Sequence, residues 1–394
     1  MFKIQTLNKI DPNGLQLFPL DQYEIASELP NADAVVLRSF KMHDMDLPES
    51  LLAVGRAGAG VNNIPVDACT DRGIVVFNTP GANANAVKEL VLAGLLMGSR
   101  DIAGGLDYVR TLTHIEDAAE LNKLLEAEKK RFKGDELVGK KLGVVGLGAI
   151  GSLVAEVGLM MGMEVLGYDP AISVASAWRL PSEVQSMENL QALVSRADYV
   201  SLHLPVIEAT IGLVNAELLK HFKPTARLMN FARGEVVDNA AIIDALREER
   251  LGKYITDFPT PELIKEPHAI LMPHIGASTT EAEENCAVMA AMQLRDFLEN
   301  GNVKNSVNFP ALSLEGNKGC RIAISNRNVP KMLGGVLALI AEHEINVVDM
   351  LNKSRGDVAY TLIDLEDRPA DKLLTDIRNI EGVISVRLIC STAS

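Results

Sequence analysis

The sequence is short of several features, and each shortage closes a line of interpretation. Only four cysteines occur in 394 residues, Cys69, Cys286, Cys320 and Cys390, far apart and without a C-x-x-C pair. A zinc ribbon or dithiol motif is therefore not expected, nor is any metal site, and the thiols read as isolated structural ones. No run of five or six Lys/Arg appears, and 38 basic against 52 acidic residues leave a formal charge of −14. Nucleic acid and anionic membranes are poor bulk partners for such a chain. No run of 18 apolar residues is present, and the opening MFKIQTLNKIDPNG is interrupted by charged and amide side chains too early for the apolar core of a signal peptide. A cytoplasmic protein is the expectation. Low-complexity tracts and fixed-period repeats are absent too.

What is present is globular composition, 47% hydrophobic and 23% charged. At roughly 150 residues per domain the length gives about 2.6, hence two or three domains. From residue 3 to about 80, the apolar segments KIQTL, ADAVVLRS, LLAVGRAG and GIVVFN alternate with polar stretches, which predicts β/α alternation and a parallel sheet. In ANANAVKELVLAGLLMGSR, residues 82–100, Val87, Leu90, Val91, Gly94, Leu95 and Gly98 recur at three- and four-residue intervals, predicting a long buried helix. The charged stretch AAELNKLLEAEKKRFKGDEL after it reads as exposed or bridging.

A second alternation runs from KKLGVVGLGAIG through MEVLGYDP, ADYVSLHLP, ARLMNFARG and KYITDFPT and predicts about six parallel strands. Residues 301–319 are rich in Asn, Gly and Pro and read as a linker, 311–319 being its least patterned part. Residues 320–390 give strand, helix, two strands, helix and strand, a ferredoxin-like order. The fold class expected is α/β, with two parallel-sheet lobes of Rossmann or flavodoxin type and a C-terminal ferredoxin-like α+β domain.

Chemistry first appears at VVGLGAIG, where Gly146, Gly148 and Gly151, with Ala149 and Ile150 between them, form G-x-G-x-x-G between a strand and a helical run. The first glycine permits the tight turn, the second lets backbone approach a pyrophosphate, and the third allows close helix packing. Eighteen residues beyond Gly151 the next strand ends at Asp169, placed to bind an adenosine ribose. A carboxylate there repels a 2′-phosphate, so NAD is favoured over NADP.

Three residues following strand-like runs suit hydride transfer: Arg233 in NFARGEVVD, Glu262 in DFPTPEL and His274 in LMPHIGAST. Oxidising a 2-hydroxy acid needs a base for the hydroxyl proton, and imidazole titrates in the right range. A carboxylate behind it would orient it, and an arginine can grip the substrate carboxylate in a bidentate pair. Taken singly, each is more often a surface or turn residue. His203, in SLHLP at another strand end, competes for the role of base, and these arguments alone do not rank the two histidines.

In combination, VGRAGAGVNNI at 54–64, GIVVFNTP at 73–80, the VKEL helix start, VVGLGAIG, SLHLP, NFARGEVVD and PHIGAST resemble the D-isomer-specific 2-hydroxyacid dehydrogenase family. The resemblance implies that Arg233, Glu262 and His274 are catalytic, that Asp257 meets the nicotinamide, and that His203 and Pro205 join the cofactor site. It also implies that the substrate carboxylate meets backbone amides around Ala57, Gly58 and Ala59, and that Arg38, with Ser39 beside it, reaches a substrate phosphate. The chain departs from the family's G-A-A-x-D-V stretch followed by Glu-Pro, reading GKYITDFPTPEL with Pro261 ahead of Glu262.

By the same resemblance the expected lobes are a discontinuous substrate domain, 1–92 and 275–310, around a cofactor domain, 93–274, with dimerisation through the latter; a homodimer or homotetramer is expected, and the resemblance does not decide between them. Residues 320–394 resemble an ACT domain. Asn328 and Asn346 match its effector-loop positions, Asn326 stands where a His is usual, and Pro330-Lys331 replaces Pro-Gly. This leaves open an amino-acid effector such as serine or a purely structural, dimerising role. The reading is NAD-dependent oxidation of a small phosphorylated 2-hydroxy acid. The alternatives are another D-2-hydroxyacid dehydrogenase, such as a glyoxylate or hydroxypyruvate reductase, and a nucleotide-sensing corepressor.

Overall fold

Short, fully buried runs such as AVVL at 34–37 cannot face water on either side, which is the condition of strands in a parallel sheet covered on both faces. In this computed structural model, which describes residues 1–315 and 319–390, they form two such sheets. The chain divides into two compact units, Met1–Asn83 with Thr280–Ser394, and Ala84–Thr279.

In the first unit, β1 (Phe2–Leu7), β2 (Tyr23–Ala26), β3 (Ala34–Leu37), β4 (Ala53–Arg56) and β5 (Val75–Phe77) make a wholly parallel sheet in the order β2-β1-β3-β4-β5. This is the flavodoxin-like order. The helix Thr280–Asn300 returns to cover it, and Leu294 packs so closely on Gly55 that a methyl there would lie 2.7 Å from its Cδ1.

In the second unit, β6 (Lys141–Val145), β7 (Glu164–Tyr168), β8 (Gln185–Ser186), β9 (Tyr199–Leu202), β10 (Arg227–Asn230), β11 (Lys253–Thr256) and β12 (Ala269–Leu271) are all parallel, in the order β12-β11-β10-β9-β6-β7-β8. This doubly wound order reverses between β6 and β9, and ligands bind outside the carboxyl ends at such a point. The predicted long helix, Ala84–Ser99, buries Val87, Val91 and Leu95 against Phe231 and Ile255. The charged stretch forms the helix Ala118–Glu128, which has no buried residue.

The C-terminal strands β13 (Cys320–Arg327), β14 (Val347–Arg355), β15 (Val358–Leu365) and β16 (Val383–Cys390) pair antiparallel in the order β14-β15-β13-β16, with helices Met332–Glu342 and Asp371–Arg378 in the connections. One face of the sheet packs Ile322, Ile324 and Ile363 on Val336, Ile340, Leu373 and Ile377. The other places Ala323, Tyr360, Leu362 and Ile389 in one core with Phe77, Phe297, Val303 and Phe309. Tyr360 donates to the Gly301 carbonyl at 2.9 Å. The buried Arg321 holds Asp364 with two nitrogens and donates to the carbonyls of Asn300 and Leu314.

This packing explains two departures from the sequence reading. Residues 301–314 are a partly buried strip whose Asn302 and Asn308 satisfy backbone groups of Leu314, Val76 and Ile74. Of the expected linker 311–319, residues 316–318 lie outside the described residues, as do 391–394 of the expected C-terminal domain. The thiols need a correction. Cys320 and Cys390 are direct partners across β13 and β16 and form a disulfide, whereas Cys69 and Cys286 are buried and free.

Candidate active site

The glycine-rich turn closes β6. Gly146 has φ +88°, and a methyl on it would sit 2.4 Å from the His203 carbonyl oxygen, so this crossing at the β6/β9 reversal admits only glycine. Gly151 is constrained likewise, since a methyl on it would sit 1.8 Å from the Gly146 carbonyl oxygen. Among the described residues nothing lies within 4 Å of where a methyl on Gly148 would stand, and no side chain caps the helix Ala149–Met160 that it begins. Its first amides are therefore open to an anion. Asp169 ends the next strand with Oδ2 accepting from the Leu147 amide at 2.8 Å and Oδ1 from the Ala171 amide at 2.9 Å. His203 bonds through Nε2 to the Ser201 hydroxyl at 2.8 Å, its Nδ1 is buried without a partner among the described residues, and burial drives its pKa down to about 3. Pro205 is exposed two residues on.

Arg233, Asp257 and His274 follow three neighbouring strands, β10, β11 and β12. His274 adopts a left-handed backbone, φ +50°, held by donation of its amide to the Asp257 and Met272 carbonyls at 3.0 and 3.2 Å. Its exposed ring packs on Phe258 with centroids 4.9 Å apart. Asp257 is 1% exposed. Its Oδ2 accepts from the Gly276 amide at 2.9 Å, and its Oδ1 is buried with no partner among the described residues. Burial raises the Asp257 carboxyl pKa, opposed by the Gly276 amide and by the charges of His274 and Arg233. The Arg233 guanidinium is half-buried and donates to the Ala232 carbonyl at 2.7 Å.

Glu262 is not brought into this group. It lies exposed at the start of the turn Leu263–Lys265, and among the described residues its side chain makes no hydrogen bond or ion pair. The carboxylate beside His274 is that of Asp257. Phe258 and Gly276 were not singled out by sequence reasoning, although Phe258 stands next to the Asp257 that was.

In the first unit, Arg38 follows β3 and pairs with Glu283 on the helix Thr280–Asn300, Nη1 to Oε1 2.6 Å, while Ser39 is exposed. The Ala57 amide donates to the Leu37 carbonyl at 2.7 Å and that of Gly58 to Arg56 at 2.9 Å, leaving Ala59 alone of the three with a free amide among the described residues. At the C-terminal sheet, Asn326 and Asn328 line a cavity of about 180 Å³ with Lys331 and Asn352. Asn346 does not reach it and donates instead to Glu366 at 3.0 Å. Lys331 has φ +71°, the left-handed conformation that glycine takes most easily.

Residues 102–276 match the D-isomer specific 2-hydroxyacid dehydrogenase, NAD binding domain, family. The chain is also 32% identical over 386 residues to D-3-phosphoglycerate dehydrogenase of Haemophilus influenzae, covering 94% of this chain and 90% of that one. It belongs to the D-isomer-specific 2-hydroxyacid dehydrogenase family. A Synechocystis D-3-phosphoglycerate dehydrogenase is 37% identical over 332 residues, and the chain spans 57% of its length. Among solved structures, an NAD⁺-bound 3-phosphoglycerate dehydrogenase of Entamoeba histolytica superposes with a TM-score of 0.60 at 29% identity, covering 79% of this chain and 99% of that one.

As a member of this family the chain is an NAD-dependent dehydrogenase, and its residues fit that cofactor. The open turn at Gly148 leaves room for a pyrophosphate, and the buried, unpartnered Oδ1 of Asp257 is an acceptor that needs a donor. Among the described residues no helix is long and apolar enough to cross a membrane.

Proposed function

We propose that this protein oxidises D-3-phosphoglycerate to 3-phosphohydroxypyruvate with NAD, the first step of L-serine biosynthesis, in the cytoplasm. The observation that carries the reading is the convergence of Arg233, Asp257 and His274 at the carboxyl ends of adjacent strands beside the glycine-rich turn, in a chain with D-3-phosphoglycerate dehydrogenase relatives along nearly its whole length.

When bound, NAD supplies the acceptor for the hydride. Gly146 to Gly151 would hold its phosphates, Asp169 its ribose, His203 and Pro205 would flank it, and the buried Asp257 carboxylate would offer an acceptor to its nicotinamide end. His274 takes the substrate hydroxyl proton, its ring steadied by Phe258. Arg233 grips the substrate carboxylate and stabilises the developing carbonyl. The amides at Ala57–Ala59 assist, chiefly that of Ala59, and Arg38 holds the phosphate. Glu262 supports His274 only after its exposed side chain turns toward the imidazole.

Residues 1–92 and 275–310 serve the substrate, 93–274 the cofactor, and 320–394 form an ACT-like module whose Asn326 and Asn328 face an amino-acid effector such as serine. The exposed Ile102, Leu106 and Val109, recurring along one face of the helix Ile102–Thr111, support self-association into a dimer or tetramer. The test is steady-state assay of 2-hydroxy and 2-keto acids with NAD(H). Turnover of D-3-phosphoglycerate is expected; no turnover of any acid, with NAD still bound, would point to a sensor instead.

A further inference from the structure

The amino ends of the β10, β11 and β12 strands, opposite the ends that carry Arg233, Asp257 and His274, frame a second concavity. It has a volume of about 620 Å³ and is lined by five Arg/Lys side chains, Arg100, Arg131, Lys133, Arg227 and Lys253, against two carboxylates, Asp101 and Asp135. In a chain of net charge −14 this is a local reversal of sign.

The two carboxylates are already committed. Asp135 holds Arg227 at 2.6 Å, and Asp101 caps the helix Ile102–Thr111 by accepting from the Gly104 amide at 3.0 Å. Arg131 is likewise paired, with Glu128 at 2.7 Å. That leaves three cations, Arg100, Lys133 and Lys253, whose side chains have no hydrogen bond or ion pair among the described residues. A scatter of exposed lysines would be solvated and mean nothing. Lys253 is different, because it is partly buried in the lining of the cavity with Arg227, and burial, helped by that neighbouring cation and only partly offset by the Asp101 carboxylate, lowers its pKa. An ammonium in that position gains most from a counter-charge entering the cavity.

We propose that this cavity binds a small polyanion, carrying two or more carboxylate or phosphate groups, that bridges Lys253 to Arg100 and Lys133. The site is independent of the dehydrogenase reading. Along β11 it lies four residues, roughly 13 Å of strand, from Asp257. The same strands thus carry an anion site at one end and the candidate chemistry at the other.

Equilibrium dialysis of labelled citrate and of labelled inorganic pyrophosphate against the full chain, with NADH saturating, tests this. The comparison is with Arg100→Glu/Lys133→Glu, whose exposed positions leave the fold intact, as an unchanged melting temperature would verify, and with Arg38→Ala. Binding is expected in the wild type, about tenfold or more weaker in the double variant because two charge-assisted contacts turn repulsive, and unchanged in Arg38→Ala. Retention of citrate alone identifies a carboxylate ligand, of pyrophosphate alone a phosphate ligand, and of both a site that reads charge only. Equal binding by wild type and double variant, loss of binding in Arg38→Ala, or no binding of either anion overturns the proposal.

Discussion

The guanidinium of Arg38, proposed to receive the substrate phosphate, is held by Glu283, Nη1 to Oε1 at 2.6 Å. Both side chains are about a third to a half exposed, so the pair is worth only about 0.2–1 kcal/mol. It therefore orients Arg38 without locking it away from an incoming dianion. Glu283→Gln is expected to improve kcat/KM for D-3-phosphoglycerate by roughly two- to fivefold. Arg38→Ala should lower it by about 10- to 150-fold, the range of a hydrogen bond to a charged group, with little change for D-glycerate. Equal losses for both acids in steady-state assays would remove the phosphate role.

His274 and His203 exchange no duties in this account. His274 is exposed on a strained backbone beside Asp257, whereas His203 is half-buried against the glycine-rich turn. His274→Ala should cut kcat by about 10² to 10⁴, the usual contribution of a positioned acid–base group, with NADH affinity retained. His203→Asn should change NADH affinity more than kcat. The converse result in single-turnover and binding measurements would exchange the two histidines.

The burial of His203 also makes a statement about stability. Its pKa of about 3 in the folded chain lies below the value near 6.5 of an exposed imidazole. Its contribution is therefore fully present above about pH 6.5 and is lost as pH falls toward 3, at up to about 1.4 kcal/mol per pH unit. Urea midpoints between pH 7 and pH 5 should fall more steeply in the wild type than in His203→Asn. Parallel slopes would mean that the ring is solvated.

The Cys320–Cys390 bridge closes 70 residues of chain, a constraint worth about 4 kcal/mol in the chain-entropy account. Because β13 and β16 share a core with Phe77 and Phe297, its loss should be felt in the melting of the whole first unit. Dithiothreitol should lower the melting temperature of the wild type to that of Cys320→Ser/Cys390→Ser and leave the variant unmoved, as calorimetry can check.

Much of this was legible in the sequence because it is local. The glycines at 146, 148 and 151, the strand ending at Asp169 and the order of the C-terminal elements all follow from spacing and periodicity. What stayed hidden depends on segments that meet only after folding. The Cys320–Cys390 pairing requires the antiparallel register of two strands 70 residues apart. The double burial of β15 comes from helices on one side and residues such as Phe309 on the other, so that VAYTLIDL carries no exposed face. Tyr23–Ala26 is a four-residue edge strand with an exposed Glu24, too short and too polar to stand out. Glu262 was placed behind His274 on chemical grounds, but the Pro261 turn leaves it exposed while Asp257 takes the nearby position. Asn346 immediately precedes β14 whereas Asn352 lies within it, and only the latter lines the cavity beside Lys331.

The central claim is that the phosphate of the substrate is recognised, and the direct measurement is kcat/KM with NAD for D-3-phosphoglycerate against D-glycerate, the same acid without its phosphate. The account predicts that the wild type favours the phosphorylated acid by about a hundredfold, the worth of strong charge-assisted bonds to that group. Equal values, or faster turnover of D-glycerate, would contradict it and assign the chain to the branch of its family that acts on unphosphorylated acids.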